Sequence, residues 1–350
     1  MSRVDRPRKR SRALLDGLGL GLLKSLSWLP LPIGHALGAG IGWLAWHTST
    51  RMRHTARVNL ALCFPEQSLR WRERTAKRSF IEMGKAMTEA PRLWRLGPEA
   101  IRRHAHNAPF PGIDSSPPAP PDTASIERHT LERPLPSDSA PSDHAGSPGN
   151  SHESLAPPPG RATLIASPHL GSWEFAGLAC ATHAPMTSLY SPLKNKRVDA
   201  WVHRSRSVTG ATLAPADREG LRLLRKALDR GEFVGILPDQ SPKGASGVYA
   251  PFFGRPALTM TLLSRLSQHC GGVPVIFIAA ERLSWGRGYR FHSVIAGRDG
   301  VPALTGNAQD DAATINAAVE ALIRRCPAQY NWAYKRFIPA PPGYTDPYRA

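Results

Sequence analysis

The chain is poor in cysteine and in acid. Its 350 residues include four cysteines, Cys63, Cys180, Cys270 and Cys326. They stand far apart, no CxxC pair occurs, and no cysteine–histidine set has zinc-ligand spacing. These absences argue against a disulfide framework and a structural zinc module, and they predict reduced, mostly buried thiols. Aspartate and glutamate number 27 against 45 lysines and arginines, a formal net charge of +18. That excess favours an acidic partner: nucleic acid, anionic headgroups or an acidic carrier protein. The bases form no stripe interleaved with aromatics and no nucleic-acid-binding motif is visible, so no nucleic-acid partner is expected. There is no internal repeat.

The amino terminus, MSRVDRPRKRSR, is basic and runs straight into an apolar stretch from Leu14 to Trp46. Ser25 to Trp46 holds no acid or base apart from His35, yet Pro30 and Pro32 lie inside it. A spanning helix needs ~20 apolar residues, and proline kinks or breaks one. Residues 1–50 are therefore expected to be a basic tail and an uncleaved membrane anchor, either one imperfect span or a helix lying in the interface. The alternative is a glycine-rich buried helical hairpin. Residues 51–113 read as amphipathic helix with a basic outer face. Residues 114–160 are rich in Pro, Ser, Asp and Gly, with almost no aromatic or β-branched residues. Such a segment cannot bury enough apolar area to offset its ordering entropy, and a disordered insertion is predicted.

From residue 161 to 345 strand-like and helix-like segments alternate. ATLIAS, MTSLYS, ATLAP, EFVGILPD and VPVIFIAA read as strands, and YRFHSVIAG as an edge or antiparallel strand. Between them lie helical segments, among them REGLRLLRKALDRG, ended by Gly231, and LTMTLLSRLSQHCGG. The pattern predicts an α/β fold: a mainly parallel mixed sheet flanked by helices.

In such a sheet chemistry collects where strands end and helices begin. His169 lies at such a junction in SPHLGSWEFAG, with Glu174 five positions later. A carboxylate bonded to one imidazole nitrogen would leave the other free to take a proton, and Gly171 permits the turn. His-x4-Glu is not the His-Glu-x-x-His of zinc hydrolases. Spacing alone leaves His169 open between packing and proton transfer, and gives Ser172 no role beyond turn geometry.

HLGSWE resembles the His-x4-acid motif of the lysophospholipid-type acyltransferases, and more specifically the late acyltransferases of lipid A biosynthesis, the HtrB type. LPDQSPKGASGVYAPFFGRPA, QYNWAYKRF and RVNLALCFPE resemble further segments of that family in the same order. Ser172 departs from the asparagine commoner there, and the 114–160 insertion is unusual. The resemblance implies a glycerolipid-acyltransferase-like fold. It implies transfer of a fatty acyl chain from acyl carrier protein to a hydroxyl of a lipid A precursor at the inner membrane, the catalytic domain on the cytoplasmic face. The same transfer to another glycolipid, a phospholipid or a lipoamino acid is the alternative. His169 would be the general base and Glu174 its orienting partner, with no metal or other cofactor. Arg204 and Arg206 would contact phosphate or support the oxyanion. Asp239 would face the same sheet edge as His169 and count with the substrate-binding residues, and Lys243 and Arg255 are weaker candidates for phosphate contact. Leu193, Phe252 and Phe253 are candidates for an acyl groove, core packing being the rival role of the phenylalanines. Trp332, Tyr334, Lys335 and Arg336 are read as structural packing, and KNKR at 194–197 as a surface for an acidic partner.

Overall fold

The computed structural model describes residue 17 and residues 19–107, 161–193, 195–242 and 246–349. The expected insertion at 114–160 and Lys243 lie outside the described residues.

Pro30 and Pro32 divide the apolar N-terminal stretch. Residues 19–26 are helical, a turn follows, and helix α1 (Leu31–Thr48) begins with proline in its first turn, where the missing N–H has no helical partner to lose. Helices α2 (Thr50–Cys63), α3 (Leu69–Leu93) and α4 (Pro98–His104) follow. Gly34, Gly38 and Gly42 recur every fourth residue on α1 and are buried. A Cβ on Gly38 would fall 2.5 Å from the Gly84 carbonyl oxygen, and one on Gly84 2.0 Å from that of Gly38. The backbones of α1 and α3 therefore touch, which only glycine allows. Among the described residues no helix is long and apolar enough to cross a membrane. The expected spanning segment therefore has no support among the described residues: the prolines divide the stretch, and α1 packs its glycine face on α3 while Ile33, Leu37, Ile41 and Leu44 stay exposed.

The sheet has the order β3-β2-β4-β1-β7-β8. Its strands are β1 (Thr163–Ala166), β2 (Met186–Tyr190), β3 (Ala211–Pro215), β4 (Phe233–Ile236), β7 (Val275–Arg282) and β8 (Tyr289–Ile295). Five run parallel, and β8 pairs antiparallel with β7 at one edge. Thr163–Ala166 and Phe233–Ile236 are wholly buried, as strands covered on both faces must be. The covering helices are α5 (Trp173–Ala181), α6 (Lys196–Ser207), α7 (Arg218–Asp229), α8 (Leu262–His269) and α9 (Ala308–Arg325). Helix α7 is capped by Asp217, whose side chain accepts from the Gly220 N–H, and ends at Gly231 in the left-handed region. A separate antiparallel hairpin, β5 (Gly247–Phe252) and β6 (Arg255–Met260), inserts between β4 and α8. Part of the segment read as one helix, LTM, is thus the end of β6. One core joins Trp46, Leu60 and Phe80 of the helical part to Leu164, Val234 and Phe277 of the sheet.

Candidate active site

Strands β1 and β4 are neighbours, with Ala166 opposite Ile236. Three residues further along each chain stand His169 and Asp239, both beyond the C-terminal ends of their strands. Their side chains meet there: His169 Nδ1 lies 2.9 Å from Asp239 Oδ1, and the His169 backbone N–H donates to Oδ2 at 2.9 Å. A carboxylate only accepts, so Nδ1 carries the ring proton and Nε2 presents its lone pair. Gln240 Nε2 is 3.2 Å from His169 Nε2, where it donates to that lone pair. Asp239 is 3% exposed. Burial would raise its pKa, but the imidazole and two hydrogen bonds from His169 hold it below the ordinary value. Burial opposes charge on His169, but the Asp239 carboxylate and its hydrogen bond outweigh this and raise its pKa. A histidine so held takes a proton at Nε2 and stabilises the resulting imidazolium.

The structure separates Glu174 from this pair. Glu174 lies in the first turn of α5, where Oε1 pairs with Arg206 of α6 and Oε2 accepts from Trp94 Nε1 at 2.8 Å. The direct Glu174–His169 bond expected from the motif is replaced by Asp239, because the strand register puts residue 239 beside the ring while the turn carries residue 174 onto a helix. The Arg206 guanidinium also lies 5.4 Å from the Tyr190 ring centre, within cation–π range. Arg204, on the same helix, is exposed, as is Arg255 at the β5–β6 turn. Phe252 and Phe253 are buried in the main core and Leu193 is exposed. An apolar cavity of about 70 Å³ is lined instead by Ile41, Met52, Met83, Met87 and the segment Asn331–Ala333.

The turn that follows His169 is clamped from three directions. Gly171 has φ +61°, and a Cβ there would sit 2.2 Å from the Ala280 carbonyl oxygen of β7, so no other residue fits. From the C-terminal segment, the Gln329 carbonyl accepts from the Gly171 N–H at 3.0 Å, and the Asn331 N–H donates to the His169 carbonyl at 3.1 Å. From β7, Arg282 Nη2 donates to the Gly171 carbonyl at 2.8 Å. Arg282 is itself buried and pairs with Glu89 of α3 at 2.7 and 2.8 Å and with Glu82 at 3.0 Å. His35 and Tyr289 also bond Glu89, at 2.8 and 3.0 Å. Although burial opposes its charge, Arg282 and His35 depress the Glu89 pKa to about 2.

Gln240, Trp94, Arg282, Glu89 and the backbone of Gln329 and Asn331 are thus part of the site or its support, and the sequence reading passed over them. The signal for Gln240 was its place beside Asp239. The others come from segments distant in sequence. Trp332 and Arg336 are buried, Arg336 donating to the Leu258 carbonyl and to Thr259, in keeping with the packing role expected of the terminal segment. Among the described residues, Asp229, His269 and Cys270 could together hold a metal ion. They sit at the C-terminal ends of α7 and α8, at the sheet edge opposite His169.

Fold and site together define an α/β protein with a carboxylate-held histidine at the C-terminal edge of a parallel sheet. The family model for bacterial lipid A biosynthesis acyltransferases matches residues 4–338, and the chain belongs to that family. It is 28% identical over 341 residues to the lipid A biosynthesis palmitoleoyltransferase of Escherichia coli (strain K12), covering 96% of this chain and 95% of the relative. It is 26% identical, over the same shares, to the lipid A biosynthesis lauroyltransferase of that organism. A lipid A biosynthesis acyltransferase of Haemophilus influenzae is 25% identical over 333 residues, 93% of this chain and 90% of the relative.

Proposed function

We propose that the protein transfers a fatty acyl chain from acyl carrier protein to a hydroxyl of a lipid A precursor. The observation that carries this reading is His169, its Nδ1–H held by buried Asp239 and its Nε2 lone pair facing a donor that substrate can displace. The acceptor hydroxyl takes the place of the Gln240 amide and gives its proton to Nε2. The oxygen attacks the thioester carbonyl carbon, and negative charge collects on the carbonyl oxygen. When that oxyanion collapses, the C–S bond breaks and the imidazolium returns its proton to the leaving sulfur. The products are an ester and the free carrier thiol. Asp239 keeps the tautomer and the imidazolium. Glu174 holds Arg206 at the same edge, where a guanidinium answers either the phosphate of the precursor or the developing oxyanion. The net charge of +18 suits both an acidic carrier and a phosphorylated lipid.

We place the protein at the inner membrane, its catalytic domain on the cytoplasmic face, with α1 lying in the interface. Beside the glycine face that packs on α3, α1 exposes Ile33, Leu37, Ile41 and Leu44, with Trp43, and carries no charged residue. Such a face supports an interfacial rather than a spanning helix.

The test is transfer from radiolabelled acyl carrier protein to a tetra-acyl, Kdo-bearing lipid A precursor by purified protein. Wild type should acylate the precursor and His169→Ala should not. Transfer to phospholipid but not to the precursor would move the acceptor to the alternative class. Full activity in His169→Ala would remove the mechanism.

A further inference from the structure

A helix lying in a membrane surface can roll about its own axis, and α1 alone would leave the catalytic edge free to tilt. The turn joining β7 to β8 supplies a second point. Trp285 at its tip is 86% exposed, the most exposed large apolar side chain among the described residues. Its backbone is left-handed, φ +59°, a conformation that costs free energy for a bulky residue. A soluble surface gains nothing from holding an indole out at that cost.

The turn is braced rather than loose. The Leu283 N–H donates to the Gly288 carbonyl at 2.9 Å, and the His106 ring bonds the Arg287 carbonyl at 2.5 Å. A Cβ on Gly286 would lie 2.8 Å from the Pro32 ring, so the turn rests on the first turn of α1. Trp28, three residues before the start of α1, is also exposed, with the Arg95 guanidinium 3.4 Å from its ring centre. Arg287 and Arg290 on the turn and strand β8 are exposed. Tryptophan beside arginine, next to an uncharged apolar helix face, is the composition of a membrane–water interface with anionic headgroups.

We propose that the β7–β8 turn is a second membrane-contact element, Trp285 entering the headgroup layer of an anionic bilayer beside the start of α1. The proposal rests on α1 lying in that interface. It fixes the roll of the protein, because β7 leads back from Trp285 to Arg282 and Ala280, the residues that hold the Gly171 carbonyl and the catalytic turn.

The test uses the full chain and vesicles of phosphatidylethanolamine and phosphatidylglycerol, with and without brominated acyl chains. Subtracting the tryptophan emission of Trp285→Phe from that of wild type isolates the Trp285 signal. That difference should be quenched by brominated lipid. Trp285→Ser should float with vesicles about tenfold more weakly, the scale of one large apolar side chain withdrawn from an interface, and keep wild-type transfer on detergent-dispersed precursor. If wild type floats but the difference signal is unquenched, the Trp285 contact is overturned and the α1 reading stands. If wild type does not float, the α1 reading fails and this proposal with it. Loss of transfer in detergent by both variants, with unchanged flotation, would make Trp285 a structural residue and overturn the contact.

Discussion

Asp239→Asn separates the two carboxylates that compete for the role of partner to His169. The native carboxylate accepts twice from one residue, from Nδ1–H and from the backbone N–H, each at 2.9 Å. An asparagine offers one oxygen and one NH₂. If the oxygen stays on the backbone N–H, the NH₂ faces Nδ1, the ring proton shifts to Nε2, and the base loses its lone pair where the acceptor must bind. If the amide turns over, donor meets donor at the backbone N–H, and an unsatisfied buried group costs about 1–3 kcal/mol. General-base catalysis contributes roughly 10²–10⁴-fold, so kcat should fall by about that factor, equivalent to about 3–5 kcal/mol in the barrier. The pH profile gives an independent readout. In wild type the base works neutral, so activity falls as pH drops through the raised His169 pKa, and the acid limb lies above the ordinary histidine value. In Asp239→Asn burial alone remains, which disfavours the imidazolium, and the limb should move to lower pH as the plateau drops. The assay is kcat against pH for transfer from acyl carrier protein, with circular dichroism to confirm folding. A variant within a few-fold of wild type, with its limb unmoved, would refute the assignment of Asp239.

Glu174→Gln should lower transfer by up to about 10²-fold through misplacement of Arg206 while leaving the acid limb in place; a shifted limb would return Glu174 to the imidazole. Gln240→Leu, which cannot donate to Nε2, should shift the acid limb of the free enzyme upward, because the neutral ring loses a hydrogen bond, and this is read from kcat/KM against pH, which reports the enzyme before the acceptor displaces the amide. Gly84→Ala puts a methyl where 2.0 Å separates it from the Gly38 carbonyl. Overpacking of this kind costs about 1–3 kcal/mol, seen calorimetrically as a melting point lower by several degrees. Glu89, with its pKa depressed from 4.5 to about 2, contributes stability that is present above the ordinary glutamate value and lost as pH falls toward the folded one. Glu89→Gln should therefore be less stable than wild type at neutral pH by on the order of 3 kcal/mol, with the gap closing below pH ~4 in denaturant titrations.

The parallel strands were legible because strands buried on both faces read as short runs such as TLIA and FVGI, and the antiparallel edge because YRFHSVI alternates. The β5–β6 hairpin was not. Pro251 and Pro256 interrupt its alternation, and LTM continues into α8 with apolar residues spaced as a helix would have them. Hydropathy alone was also incomplete at the amino terminus. It registers that Gly34, Gly38 and Gly42 lie in an apolar stretch, but not that their four-residue repeat is a face on which another backbone can press. The partner glycine, Gly84, lies on a helix far along the chain.

At the site, nearness in sequence named one carboxylate and nearness in space another. His169 and Glu174 are five residues apart, but Gly171 turns the chain between them and α5 carries the glutamate toward α6. His169 and Asp239 are seventy residues apart, yet that is the offset of the β1–β4 pairing, in which residue 166 meets residue 236. In a parallel sheet, neighbouring strands deliver the residues just past their ends to the same place, so a motif at the end of one strand finds its partner at the end of the next. The carboxylate that follows the histidine in sequence is then free for a different task, and here it fixes an arginine. In this chain the His-x4-acid motif therefore contributes to two separate pairs, His169 with Asp239 and Glu174 with Arg206, and its spacing is that of the turn between them.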